Sequence, residues 1–246
     1  MSLLVLIPLV AIAGTAFDSG WSGFWAAIRD PIAWKALQFT LENSCIVVVL
    51  NTVAGTAVAW VLVRDHFFGK RLLSMIVDLP FALPTVVAGI TLLSLYGPDS
   101  PFHLNIEGAR LGVLVALAFV TLPFSVRSVQ PVLEELDLDA EEAAASLGAR
   151  PVTVLRRVIL PSLAPAMLSG AALAFARALG EYGSLVFLAN LPGRSESASV
   201  YIFGLFQNYD NQGAAAVALA LLVLSLVVLL ILGAARRYVL RDGAGQ

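Results

Sequence analysis

With 246 residues, 59% of them hydrophobic and only 13% charged against about 25% in an ordinary soluble domain, this chain has lipid as the solvent for most of its surface. A formal net charge of −2 gives no argument for a nucleic-acid or acidic partner. The single cysteine, Cys45, excludes an internal disulfide, and the isolated His66 and His103 form no metal-ligand cluster.

A hydrocarbon core calls for about 20 apolar residues of helix. Six segments are candidates in chain order: 3–17, 36–63, 72–96, 111–133, 162–189 and 213–235. The first is short. A clipped span and a signal peptide ending near Gly14, Thr15 and Ala16 both fit it, and the absence of a preceding basic residue favours the span. Residues 18–35 carry Trp21, Trp25 and Trp34, which suit a membrane–water interface. Pro80 and Pro84 are expected to break the third span, Pro123 and Pro131 the fourth, and Pro161 and Pro165 the start of the fifth, since proline lacks a backbone donor. In lipid, breaks persist where neighbours or a water-lined path satisfy the freed groups; ordinary helix packing is the alternative.

The basic residues sort the connections into two sides. Arg64, Lys70, Arg71, Arg150, Arg156 and Arg157, with Arg236, Arg237 and Arg241 of the tail, outnumber Arg29, Lys35, Arg110 and Arg194. The first set is expected to be cytoplasmic, which places both termini there and residues 18–35 outside. Arg177 and Glu181 fall near the middle of the fifth span, four residues apart, so they can meet on one helix face. A structural ion pair and a border of an anion path both account for them, and Arg177 is the one basic residue placed deep in a span. Gly180 and Gly183 beside them would admit a neighbouring helix. Asp78 is expected to hold the broken helix ends at Pro80, and Glu42 has no assignable role.

Residues 134–161 form a long polar stretch between the fourth and fifth spans. Leu136, Ala140, Ala143, Ala144 and Leu147 recur at helical spacing, behind an acidic start of Glu134, Glu135, Asp137 and Asp139. Gly148 stands where a left-handed cap would end this helix, and Pro151 where a second would begin. Val152, Leu155 and Ile159 make the apolar face of the second helix, Arg156 and Arg157 lie on another, and Pro161 is expected to stop it. Two short amphipathic helices joined by a glycine turn fit a groove on a partner protein or the membrane surface. No G-x-x-x-x-G-K-[ST] phosphate loop, catalytic triad or zinc spacing is present, so any nucleotide chemistry belongs to another polypeptide.

The string EEAAASLGARPVTVLRRVILP resembles the EAA motif of ABC-importer permeases. The pattern falls on Glu142, Ala143, Ala144, Gly148, Val158, Leu160 and Pro161, with valine in a slot that is usually isoleucine; Leu147 belongs to the same stretch. VDLPFALPTVVAGITLLSLYGP, TLPFSVRSVQPVLEELD and FARALGEYGSLVFLANLP resemble the sulfate/thiosulfate permeases of the T-type subunit, so the likeness covers essentially the whole chain. Molybdate and tungstate permeases share the coupling loop and match less well at DLPFALPT and SVQPVLEELD, although Pro192 and Gly193 suit them too.

The resemblance implies an all-α, six-span fold of the type I, methionine-importer kind, with residues 1–246 as one transmembrane domain. It makes 134–161 the coupling loop. It also implies two ATP-binding subunits that hold ATP and magnesium, a second permease chain in a heterodimer, and an extracytoplasmic sulfate-binding protein. The chain itself would be no enzyme and would carry no cofactor or metal. The candidate path comprises Pro84, Thr85, Arg177, Glu181, Tyr182 and Gly183 in a multi-pass plasma-membrane protein. An ion-coupled secondary transporter and a receptor or assembly factor are the readings from other classes.

Overall fold

The computed structural model describes residues 2–136, 138–188 and 195–243. Asp137, Ala189, Pro192, Gly193 and Arg194, and the side chains of Ala140 and Arg241, lie outside the described set. All regular elements within it are helices: α1 Ser2–Ala16, α2 Gly20–Arg29, α3 Pro31–Arg64, α4 Lys70–Ala82, α5 Thr85–Tyr96, α6 Arg110–Glu135, α7 Leu138–Ser146, α8 Pro151–Val154, a π-wound turn Leu155–Ile159, α9 Leu160–Leu179, α10 Leu185–Leu188, α11 Ala198–Gln207 and α12 Asn211–Gly243.

Four of these stretches are long and apolar enough to cross a bilayer: Pro31–Arg64, Arg110–Glu135, Pro151–Leu179 and Asn211–Leu240. The pair α4 and α5, bent by 116° at their junction, makes a fifth if counted as one span. At 15 residues α1 falls short of that length, so the sixth crossing expected from the sequence is not carried by length and composition.

The prolines behave differently from expectation. Of these six prolines only Pro84 stands at a break: it occupies the N-cap of α5, where its missing N–H costs nothing. Pro80 lies inside α4, Pro123 and Pro131 inside an unbroken α6, and Pro165 inside α9. Pro161 does not stop the second loop helix, because α8, the π turn and α9 run on as one span. A proline ring clashes with the carbonyl four residues earlier. Winding residues Leu155–Ile159 in the wider π form moves that carbonyl, so the helix continues.

The chain divides into two compact units. The first comprises Met1–Val47, Leu83–Val120 and Arg177–Val227. One of its cores gathers Leu92, Leu117, Leu185, Leu188 and Val200, and another Phe24, Ile28, Leu37 and Val217. Asp30 ends α2 and starts α3: its Oδ1 accepts from the backbone N–H groups of Ile32 and Ala33 at 2.9 and 3.0 Å, and from the Tyr201 hydroxyl at 3.3 Å. Burial, then the nearby Asp30, push the Tyr201 phenol up to about 12. The second unit comprises Val48–Ala82, Thr121–Ala176 and Val228–Gln246. Its core joins Val77 of α4, Val126, Val129 and Leu133 of α6, Val154 of α8, Ile159 and Leu163, with Leu136 and Ala144 packed against it.

Candidate functional site

Two constellations carry the residues singled out by the sequence, one in each unit. The first is the loop. α6 extends to Glu135, so Glu134 and Glu135 close that helix and do not open the next; the acidic first turn of α7 is made by Asp139 and Glu141. The apolar positions in and around α7 divide accordingly. Leu136 and Ala144 pack into the core, whereas Ala143 and Leu147 are exposed, Leu147 at 89%.

Gly148 has φ +81°, a conformation an L side chain strains to adopt. The reversal is fixed by the Ala149 N–H donating to the Ala144 carbonyl at 3.1 Å, the six-to-one bond of a Schellman cap. Pro151 follows as the first residue of α8, as its fixed φ prefers. On the second helix Ile159 is buried, Leu155 and Val158 are half-buried in the core, and Val152 is 61% exposed. Leu160 is half-buried and Pro161 exposed. An apolar groove of about 500 Å³ opens here, lined by Trp60, Ala149, Val152 and Leu155, with Glu141 and Glu142 at its rim. Arg64 pairs with Glu141 and lies 5.7 Å over the Trp60 ring, which ties α3 to α7. The trough is apolar, has an acidic edge and lies beside two exposed aliphatic side chains, Leu147 and Val152.

The second constellation is the turn after α9. Arg177 and Glu181 meet at 2.8 Å, with the glutamate side chain fully buried and the arginine about a third exposed. Glu181 has a further task. Its Oε1 accepts from the backbone N–H of Ser184 at 2.8 Å and from the Ser184 hydroxyl at 2.9 Å, while its carbonyl accepts from Ser199 at 2.6 Å. The carboxylate thus closes a non-helical turn between α9 and α10; the fifth span ends at Leu179, earlier than expected.

The start of α5 packs on this turn. A β-carbon on Gly183 would lie 2.3 Å from Thr85 Oγ1 and 2.9 Å from the Val86 nitrogen, and one on Gly89 would lie 2.8 Å from Ser184 Cα. Tyr182 is half-buried, its ring 5.0 Å from that of Phe203. Pro84, Thr85, Arg177, Glu181, Tyr182 and Gly183, drawn from stretches nearly a hundred positions apart, therefore lie in one neighbourhood. Among the described residues no three His, Cys, Asp or Glu side chains converge to hold a metal.

Three ion pairs among the described residues are not evident from the sequence. Arg127 lies in α6, so Arg177 is not the only basic residue within a span; the same rule that flags Arg177 flags Arg127 in the apolar string TLPFSVRSV. Its partner is Asp78, which makes a forked ion pair and does not serve helix ends at Pro80. Glu42 has a role after all: it pairs with Arg110 at 3.0 Å, whose Nε also donates to Asn43 at 2.8 Å. The third pair is Arg64 with Glu141.

Four long apolar helices and one sharply broken pair are the build of a multi-pass membrane protein. Residues 51–241 match the family of binding-protein-dependent transport system inner membrane components, and the chain belongs to that family. It is 43% identical over 238 residues to the sulfate transport system permease protein CysT of Synechocystis sp., covering 94% of this chain and 83% of that protein. It is 40% identical over 235 residues to the CysT protein of Escherichia coli, covering 92% and 85%. Among solved structures, a bacterial ABC transporter for import of the acidic polysaccharide alginate superposes with a TM-score of 0.80 at 16% identity, over 95% of this chain and 89% of that one. The inward-facing MetNI methionine ABC transporter gives 0.63 at 20% identity, over 87% and 98%. The likeness to both structures is one of fold. The protein is a multi-pass inner-membrane transport subunit and not an enzyme.

Proposed function

We propose that this chain is the permease subunit of an ATP-driven importer of sulfate and thiosulfate. The observation that carries the substrate is the 40–43% identity to sulfate permeases over more than nine-tenths of the chain. Two ATP-binding subunits, which hold ATP and magnesium, dock on the groove beside Glu142, Ala143, Leu147, Gly148 and Val152; this chain holds no cofactor of its own. An extracytoplasmic sulfate-binding protein delivers the anion, and a second, different permease chain completes the path. The loop and both termini face the cytoplasm, a reading supported by the excess of basic residues on that side. Arg177 borders the path and attracts the divalent anion, while Glu181 one turn away weakens the site enough for release, since conduction requires weak binding.

The test is uptake of labelled sulfate in cells deleted for this chain. Sulfate uptake and growth on sulfate as sole sulfur source are expected to be lost, with thiosulfate competing for uptake in the parent. Unimpaired sulfate uptake together with lost high-affinity molybdate uptake would assign the chain to molybdate or tungstate instead. Transport that survives ATP depletion and collapses with the ion gradient would make it a secondary transporter.

A further inference from the structure

The strings DLPFALPT and SVRSVQPVLEELD, unconnected in the sequence, contribute to one hydrogen-bonded network in the second unit. Arg127 Nε donates to Asp78 Oδ1 at 2.8 Å and its NH2 group to Asp78 Oδ2 at 2.5 Å. The same NH2 group donates to the hydroxyl and the carbonyl of Ser74 at 2.9 and 3.3 Å. Its NH1 group donates to Gln130 Oε1 at 2.5 Å, and Gln130 Nε2 donates in turn to Glu134 Oε1 at 2.8 Å. Arg127 stands eight residues before the end of α6, about 12 Å along its axis. The network therefore runs from α4 through α6 to the point where the loop begins. Beside it, Val77, Val126, Val129, Leu133, Leu136 and Ala144 share one apolar core.

From this geometry we infer that Arg127 is a positioning residue for coupling: it locks α4 to α6 and, through Gln130 and Glu134, to the base of the docking loop. A displacement of the loop is thereby delivered to α4, the limb that leads into the 116° break. Two features separate this from general adhesion. A guanidinium that grips both oxygens of one carboxylate and a backbone carbonyl fixes the rotation of α4 about its axis as well as its distance. Its three nitrogens are already engaged within the protein, so Arg127 is not a cation offered to the transported anion, in contrast to the role proposed for Arg177. The inference rests on the chain being the permease of an ATP-driven importer.

The test uses the complete transporter reconstituted in vesicles, with ATP hydrolysed and anion imported measured in the same preparation. Arg127→Gln and Gln130→Ala are expected to keep hydrolysis near the parent rate while the anion imported per ATP falls about fivefold or more, the scale of ordinary coupling free energies. Arg127→Lys, which keeps the charge and loses the fork, is expected to fall between. Should Arg127→Gln fail to assemble, Gln130→Ala decides, because it leaves no charge unpaired. An unchanged anion-to-ATP ratio in assembled Gln130→Ala and Arg127→Lys complexes would overturn the inference, as would import and hydrolysis falling in proportion. The ratio is read for whichever oxyanion the parent complex imports, so a wrong anion assignment changes the assay substrate and leaves the role of Arg127 equally open to refutation.

Discussion

Glu181 is both an ion-pair partner and a hydrogen-bond acceptor, and the two roles respond differently to mutation. Glu181→Ala removes the acceptor of two buried Ser184 donors, each worth about 1–3 kcal/mol when left unsatisfied. A lowered melting temperature of the purified complex is the expected result. Glu181→Gln retains an oxygen in the same place, so stability near the parent value with altered transport is expected. Swapping Arg177 and Glu181 is expected to fail, since arginine at 181 cannot accept from Ser184; a swapped protein that assembles and transports normally would refute the turn-closing role. Glu196 offers a test in pH. Burial pushes its carboxyl above the ordinary 4.5, and its Oε2 has no hydrogen-bond partner. A raised carboxyl binds its proton more tightly in the folded state, so its burial costs stability above the folded value and ceases to do so as pH falls toward 4.5. Glu196→Gln is therefore expected to raise the melting temperature at neutral pH and leave it unchanged below 4.5. At this scale the sequence showed that Arg177 and Glu181 can meet, because spacing of four on a helix suffices. Ser184 as their third partner was not legible, because it depends on a turn that departs from helical geometry.

At the scale of elements, the glycine turn of the loop and the contact of α5 with the Glu181 turn are the two joints most open to test. Gly148 has open space around a hypothetical β-carbon, so only its positive φ resists substitution. A β-branched residue there costs about 1 kcal/mol or more in backbone strain. Gly148→Val is expected to lose the ATPase subunits or uncouple them while the chain still inserts, and Gly148→Asn, which tolerates that region, to retain much of the function. Normal transport by an inserted Gly148→Val protein would remove the loop from the coupling role. Gly183→Ala is limited by space instead, with Thr85 Oγ1 and the Val86 nitrogen in the way. The amount of assembled complex should drop, and adding Thr85→Ala should recover only part of it because the backbone nitrogen stays. The loop helices and the cap were legible because capping chemistry is local. The fate of Pro161 was not: the helix passes it through a π turn, a winding that no local sequence signal announces, beside Ile159 and Leu163 in the core.

For the molecule as a whole, orientation is the property most directly measured. With Cys45 replaced, cysteines at Ser146 and Arg237 are expected to be shielded from an impermeant thiol reagent added outside intact cells, and one at the exposed Glu107 to be labelled. Ser195 is fully buried and would be a poor reporter. External labelling at position 146 would invert the arrangement.

The sequence by itself determined that lipid is the solvent, roughly where the four long apolar helices lie, and that the polar loop holds a helix capped at Gly148. These follow from composition, periodicity and local backbone preference, which act over a few turns of chain. Only the tertiary structure decided that, of the six prolines within or beside the expected spans, Pro84 is the one at a break. It also brought Arg127 and Asp78, 49 positions apart, into a forked pair, and set Thr85 against Gly183. A charge or a proline within an apolar run states a need for partners, and which neighbour meets that need is settled only when the helices pack.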